Sequence, residues 1–423
     1  MRRPSRAVAC LAVTQTVGYG VLYYAFAVFI TPMMAQLHAS RTAVTGALAA
    51  SVLAEAVAAV PVGRWVDRHD GASLMCAGSV VESVLLAAWA GTDNLLCLYA
   101  VWIGIGAVSA AVLYETAFAV LVPRLKDPAA RASAVLAVTL TAGFASTLFI
   151  PGPAFLIDLT GWRRAALALA VLHALVAIPL HMRLRGERTN GHGGSDSDSD
   201  DDGRVADSGE IGAVSLAGPP NTTPEPLSAF RDPAFWLFAF AFTTNSAAVY
   251  SAAVLLPTLL HDLGHPATFS TTVTGLLGVS SVTGRLLGTA SRRRVPTAVP
   301  AAILFALQTA GAALLPLLGR GTPGCACCVI CLGLGSGVGS LARPLIQVER
   351  FGTNRYATVS SAWTLPATAA KSIAPVLLTT LLLNAGPDRA LAAIAGCAAL
   401  SALCLPAADL LAVRRAARTA SVA

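Results

Sequence analysis

The chain has 423 residues, 55% of them hydrophobic and 12% charged, with a formal net charge of +7. A soluble domain carries about a quarter of its residues as Asp, Glu, Lys and Arg, so charges this sparse cannot clothe a water-facing surface of this size. The composition excludes a soluble enzyme or a nucleic-acid-binding module and makes the lipid bilayer the solvent.

Taken in chain order, apolar runs long enough to cross a membrane span residues 8–33, 42–62, 72–91, 95–121, 132–156 and 164–183. A second set follows at 233–260, 267–289, 296–318, 325–346, 356–384 and 388–412. Roughly 20 residues at about 1.5 Å rise traverse a hydrocarbon core of about 30 Å, and lipid offers no partner to an open strand edge, so each run reads as a helix. The expected fold is an all-α membrane protein of twelve transmembrane helices in two six-helix bundles. Its divisions are residues 1–185, a linker at 186–230, a second bundle at 231–413 and a tail at 414–423. Arg2, Arg3 and Arg6 before the first run resemble a secretory leader, but the run exceeds a leader's apolar core and no small-residue cleavage site follows, so it reads as a retained helix.

Basic residues in the short connections set the orientation. With the N-terminus inside, the cytoplasmic side collects Arg64, Arg68, Arg124, Lys126, Arg131, Arg285, Arg292 to Arg294, Arg343, Arg350, Arg355 and Arg414, whereas the outer side holds only Arg41, Arg163, Arg164, Arg320 and Arg389. Both termini are therefore expected in the cytoplasm of a cell bounded by this plasma (inner) membrane, and the positive balance reports topology. The linker, with Ser and Asp alternating from Ser195 to Asp202, is too polar to offset its ordering entropy and reads as a disordered acidic spacer.

Nine cysteines lie almost all in apolar segments. The group Cys325, Cys327, Cys328 and Cys331 suggests soft-metal ligation at first sight, but no His or carboxylate accompanies it, and helix packing is the favoured reading. No metal or cofactor is expected. The glycines Gly333, Gly335, Gly337 and Gly339 lie in an apolar helix with no strand before them, which points to close helix packing rather than a phosphate loop.

The halves echo each other. Pro61 to Arg68 (PVGRWVDR) matches Val282 to Thr289 (VTGRLLGT), Ile103 to Gly106 matches Leu332 to Gly335, and Pro32, Arg131 and Pro151 recur as Pro257, Arg355 and Pro375. Such a duplicated unit is one known plan for a transporter. At Gly63, Asp67 and Arg68 the sequence resembles the major facilitator superfamily, whose loop between helices 2 and 3 has Gly, three residues, Asp, then a basic residue. Asp70 departs from the pattern where Gly is usual, and the second copy keeps Gly284 but has Gly288 in place of the Asp. The resemblance extends through helix number, topology and Gly161 to Arg163 before helix 6. It implies that helices 1, 4, 7 and 10 line a central cavity about which the halves rock, and that Gly63, Asp67, Arg68 and Gly284 form a gating motif. A tight polar turn is the competing reading of these four.

Ionisable residues inside membrane helices cost roughly 2.5–3.5 kcal/mol on insertion scales and so mark function by default. They are Glu55, Glu82, Glu115, Arg285 and Lys371, with His173 as a further titratable group. Arg285 on helix 8 and Lys371 on helix 11 resemble the layout of the oxalate/formate antiporter branch, in which such a pair clasps a carboxylate. The related monocarboxylate carriers precede the Arg by an Asp one turn earlier, where this chain has Ser281. Two cations facing a cavity suit an anion that joins them. Interface anchoring competes for Arg285, and a structural pair with Glu55 or Glu115 competes for Lys371. Glu115 is the first choice as proton carrier, Glu55 the second and Glu82 the third, because a carboxylate in low dielectric can alternate between charged and neutral forms. Gln15, Tyr19, Tyr23 and Tyr24 on helix 1, with Thr244, Asn245 and Tyr250 on helix 7, complete the expected substrate pocket.

No nucleotide loop and no hydrolase or zinc-protease signature is present, so any transport must draw on a gradient. The leading expectation is a monomeric secondary transporter of a small organic carboxylate, coupled to protons or to exchange. Proton-coupled efflux of drugs or secondary metabolites is the alternative, and a non-transporting sensor acting through the linker is the third.

Overall fold

In the computed structural model the described residues are 6–189, 229–290 and 295–420. The acidic run Ser195 to Asp202 and the arginines Arg292 to Arg294 lie outside them. Among the described residues twelve long helices cross the molecule: α1 (Arg6–Leu37), α2 (Arg41–Val66), α3 (Gly71–Ala90), α4 (Leu95–Arg124), α5 (Pro128–Thr160) and α6 (Trp162–Thr189) make the first half. The second is made by α7 (Pro233–Asp262), α8 (Ala267–Ala290), α9 (Ala298–Leu318), α10 (Thr322–Phe351), α11 (Tyr356–Ala385) and α12 (Pro387–Ala420). Helix α6 continues to Thr189, past the expected start of the linker at 186, because nothing in the stretch Leu184 to Thr189 breaks it.

Eleven of these helices are apolar enough to span a bilayer by hydropathy, and α8 is the exception. Its Ser and Thr hydroxyls bond back to the carbonyls of their own helix: Thr272 to Thr268 at 2.8 Å, Thr274 to Ser270 at 2.7 Å and Thr289 to Arg285 at 2.8 Å. A hydroxyl satisfied in this way needs no water, so α8 crosses lipid despite its composition.

Helix starts follow side-chain chemistry. Ser40, Asp70, Asn94, Asp127 and Asp232 each accept from a backbone N–H in the first turn of the helix that follows. Helix α11 differs: Arg355 at its N-cap stands in the left-handed region at φ 49° and supplies no side-chain cap.

The halves repeat one packing plan. Helix α2 packs on α4, α3 on α4 and α6, and α1 on α5; correspondingly α8 packs on α10, α9 on α10 and α12, and α7 on α11. Glycine makes the tight crossing in each copy. A Cβ on Gly106 would meet the carbonyl oxygen of Ser51 at 1.9 Å, and one on Gly337 that of Ser281 at 1.8 Å. Phe26, Phe29, Trp89 and Trp102 centre the core of the first half, and Phe235, Phe238 and Trp363 fill one in the second. Val57, Leu96, Leu175 and Leu383 project outward, as a lipid-facing surface requires. The halves meet through α2 against α11 and α5 against α8, a pair of contacts that itself obeys the duplication.

Candidate inter-half transport site

Three helices of the first half lose regularity at one place. Helix α1 widens into a π turn at Gly20–Tyr24, α4 is interrupted at Leu113, whose backbone is extended, and α5 is interrupted at Phe144 and Ile150. The short segment Ala145–Phe149 packs on the π turn, with the Phe149 ring seated on Gly20, where a Cβ would meet it at 2.2 Å. Irregular backbone survives at membrane depth only where its polar groups are recaptured. Here Thr116 Oγ1 donates to the Ala110 carbonyl at 2.8 Å and Gln15 Nε2 donates to that of Val112 at 2.9 Å.

These irregularities aim tyrosines at one another. Tyr19 and Tyr23 on α1 have ring centroids 5.4 Å apart, and Tyr114, delivered by the break in α4, stands 4.5 Å from Tyr19. The Tyr23 hydroxyl donates to Glu55 Oε2 on α2, a carboxylate left 8% exposed. From the second half, Lys371 Nζ on α11 lies 5.3 Å from the ring centre of Tyr250 on α7. Glu55 lies within electrostatic reach of Lys371. Arg285 on α8 crosses to α5, where Nη1 donates to the Thr139 carbonyl at 3.1 Å; its Nε is buried without a partner, and its charge acts on Tyr24 and Tyr114. Tyr250 lies near Tyr19, Tyr23, Tyr24 and Tyr114 across the interface. The expected residues Tyr19, Tyr23, Tyr24, Tyr250, Glu55, Arg285 and Lys371 thus gather between the halves. Asn245 is buried where α7 meets Gly339 of α10, with Oδ1 unpartnered.

Toward the end of the bundle that carries the termini, the halves are fastened together. Asp67 supplies the cap that α11 lacks: Oδ1 accepts from Ala357 N at 2.9 Å and Oδ2 from Thr358 N at 2.7 Å. A carboxylate there also meets the positive end of the helix dipole. Gly63 permits the approach, since a Cβ would stand 2.5 Å from the Ala357 carbonyl oxygen. One helix layer deeper, Glu115 pairs with Arg343 of α10 and accepts from Ser360 Oγ of α11 at 2.6 Å. Arg68 is exposed on the turn after α2, and Gly284 packs against Leu334 inside the second half.

Glu115, the first sequence choice for a mobile proton, is thus committed to a cation at the closed end, whereas Glu55 stands among the tyrosines. Glu82 sits elsewhere, buried between α3, α4 and α6 with Ser109 and His173. Two participants escaped the sequence reading. Arg343, near the end of the expected run 325–346, counts in the sequence among the cytoplasmic charges, yet within α10 it reaches Glu115 of the other half. Tyr114 gives no sign of its role until the break at Leu113 turns it toward α1; the signal available was its adjacency to Glu115.

A family model described as Major Facilitator Superfamily matches residues 11–375. No curated protein sequence matches the chain. Among solved structures, the chain is similar to the human organic anion transporter MFSD10 (TETRAN), at 14% identity and a TM-score of 0.67, covering 96% of this chain and 100% of that one. It is also similar to a bacterial homologue of the iron transporter ferroportin in its outward-facing state with soaked iron, at 13% identity and a TM-score of 0.73, covering 97% and 100%. The E. coli fucose:proton symporter FucP gives 11% identity and a TM-score of 0.69 over 96% and 99%. At these identities the likeness concerns the fold. With its sequence match running over most of its length, the chain belongs to the Major Facilitator Superfamily and is a multi-pass membrane transporter of small solutes, not an enzyme.

Proposed function

We propose that the chain carries a small organic carboxylate by alternating access, with a proton taken by Glu55, in the manner of the monocarboxylate and oxalate/formate carriers. The observation that supports this is a charge count. Lys371 and Arg285 reach the inter-half site against one free carboxylate, Glu55, because Glu115 is neutralised by Arg343. One positive charge is left over, and the Tyr19, Tyr24 and Tyr250 hydroxyls stand ready to orient an anion that answers it. An incoming carboxylate competes with Glu55 for Lys371. Glu55, deprived of its counter-charge in a low-dielectric site, is then neutralised by a proton, so anion and proton are carried together.

The basic end of the bundle is the cytoplasmic one, in the plasma (inner) membrane, by the distribution of Arg and Lys. The fastening of Asp67 to α11 and of Glu115 to Arg343 then closes the cytoplasmic side, and the conformation is the one that admits solute from outside. Efflux of flat organic cations is the second reading, favoured by the five tyrosines about the site.

The test is flux into proteoliposomes with a panel of mono- and dicarboxylates and cationic dyes, with and without a pH gradient. Lys371→Ala is expected to abolish carboxylate uptake, a loss of about 10- to 100-fold or more for one charge-assisted hydrogen bond of about 1.5–3 kcal/mol. Glu55→Gln is expected to leave uptake that ignores the pH gradient. Unchanged carboxylate flux in correctly inserted Lys371→Ala protein refutes the reading, and dye transport that survives Lys371→Ala favours the second.

A further inference from the structure

One group of buried titratable side chains takes no part in the site between the halves. Glu82 on α3 and His173 on α6 are wholly buried, and Glu82 Oε2 faces His173 Nε2 at 3.2 Å. Neither atom has a hydrogen bond to anything else. Around them, Ser109 Oγ of α4 lies 2.9 Å from Glu82 Oε1 and 2.8 Å from the Ile105 carbonyl, Ser83 Oγ lies 2.9 Å from His173 Nδ1, and Ser79 Oγ lies 2.7 Å from Nδ1 of His181. Eight residues separate the two histidines on α6, a rise of about 12 Å toward the end that carries the termini.

Hydrogen counting narrows what this arrangement can hold. Ser83 has one hydroxyl proton, and its oxygen is 2.7 Å from the Ser79 carbonyl and 2.9 Å from His173 Nδ1. A neutral imidazole has one hydrogen for its two nitrogens: on Nδ1, donated to Ser83, it leaves a bare lone pair at Nε2 facing Glu82, and on Nε2 it faces Glu82 while Nδ1 accepts from Ser83. In either tautomer the dyad buries one negative charge in a low-dielectric core. One added proton neutralises that charge. The proton sits on the ring, giving imidazolium and carboxylate, or on Oε2, giving a neutral acid and a neutral ring; either form has no net charge, whereas the empty dyad buries one.

We propose that Glu82 and His173 form a proton-binding site of this transporter, separate from the inter-half site and coupled to it through Glu55. Coupling follows from placement. Glu82 lies beside Ser109 of α4, one turn from Gly106, which packs on Ser51 of α2, itself one turn from Glu55, so the two carboxylates flank α4 within the same low-dielectric core. The remaining charged residues on α6, Arg163 and Arg164 at one end and Arg183, Arg185, Glu187 and Arg188 at the other, stand outside the apolar span; α3 adds Cys76, α4 adds Cys97, Tyr99 and Arg124 and, beyond its break, Tyr114 and Glu115, α1 adds Cys10, Tyr19, Tyr23 and Tyr24, and α5 adds Asp158. Loss of a proton from Glu55 therefore tightens proton binding at the dyad, and loading of Glu55 loosens it. The first half thereby keeps its buried charge nearly constant while the inter-half site changes occupant, a property independent of the cargo.

The measurement is 15N-imidazole NMR of the full-length protein in nanodiscs across about pH 5 to about pH 9, with His173→Asn and His181→Asn assigning two of the seven histidines. The expected result is a protonated His173–Glu82 unit over most of that range. In Glu82→Gln the His173 midpoint should move to lower pH by a factor of ten or more in proton concentration, and in Glu55→Gln it should move the same way by a smaller factor. An identical His173 titration in Glu82→Gln overturns the site, and an unshifted one in Glu55→Gln overturns the coupling. Should Glu82→Gln fail to insert, His173→Gln keeps a polar partner for Ser83, and the infrared carbonyl band of a protonated Glu82 is then read. A band that matches wild type in intensity and pH dependence overturns the proposal. Neither readout involves a substrate, so loss of the carboxylate reading leaves this one standing.

Discussion

The two halves follow one packing plan but differ in what they contribute. Carboxylates lie in the middle of the first half, at Glu55, Glu82 and Glu115, and cations in the second, at Arg285, Arg343 and Lys371. Across the interface the signs answer one another: Glu115 with Arg343 at the fastened end, and Glu55 within the field of Lys371 deeper in. Backbone regularity divides in the same way. The first half breaks α1, α4 and α5, whereas α7, α10 and α11 run unbroken through Pro257, Pro344, Pro366 and Pro375. The duplicated fold thus pairs one half that has irregular backbone and carboxylates at membrane depth with another that has continuous helices and cations.

The sharpest break of this complementarity is Arg343→Ala. It leaves Glu115 unpaired only while the end stays fastened, because opening lets water reach the carboxylate. Both side chains keep about a sixth of their surface, 16% and 17%, so the penalty belongs near the lower figure of about 3 kcal/mol for a buried pair. Ser361 is 2% exposed in the fastened form. In a background without the native cysteines, labelling of Ser361→Cys by an impermeant thiol reagent should accelerate by about 100-fold in Arg343→Ala. An unchanged rate means that the pair does not hold the halves together.

Where the halves are alike, they should fail alike. Gly106→Ala and Gly337→Ala each drive a methyl group into a backbone carbonyl, at α2–α4 and α8–α10 respectively. Both should lower thermal stability by about 1–3 kcal/mol and reduce yield to a similar degree. A large difference between them would show that one crossing yields and that the duplication is not mechanical. Asp67→Ala should have a smaller effect, since a helix cap is worth about 1 kcal/mol. Labelling of Ser361→Cys should rise about fivefold, with stability measured in the open form unaltered.

The fold was legible because the bilayer leaves few choices: hydropathy, the basic loops and the repeat of PVGRWVDR as VTGRLLGT lead to two bundles of six. Residues of the inter-half site were legible wherever charge at membrane depth marks them, as at Glu55, Arg285 and Lys371. Their partners were not. Glu115 pairs with a residue 228 positions away, and such pairing depends on how the halves meet rather than on any local pattern. Proline and glycine at Pro151 to Pro153 point to a bend in α5, which is interrupted at Ile150, but the breaks in α1 and α4 escaped for a related reason. Proline signals interruption, yet the prolines of the second half sit in continuous helices, while Leu113, an ordinary helix former, is extended because Gln15 and Thr116 take up the freed carbonyls. A break exists where tertiary partners tolerate it.

That last point carries the smallest and most discriminating expectation, a single substitution made once in each half. Thr116→Val removes the hydroxyl that satisfies Ala110 at the interruption of α4, and the carbonyl has no helical partner to fall back on. Thr272→Val removes an exposed hydroxyl on α8 whose acceptor, Thr268, lies within a regular helix and keeps its backbone bond. Their volumes change equally, so packing does not separate them. Unfolding followed by scanning fluorimetry in one detergent should place Thr116→Val about 1–3 kcal/mol below the parent, the cost of an unsatisfied buried acceptor, and Thr272→Val within about 0.5 kcal/mol of it. Equal losses would mean that the hydroxyl at Thr116 is as dispensable as that on α8, and that the interruption in α4 is held by the packing of Tyr114 and Leu113 alone.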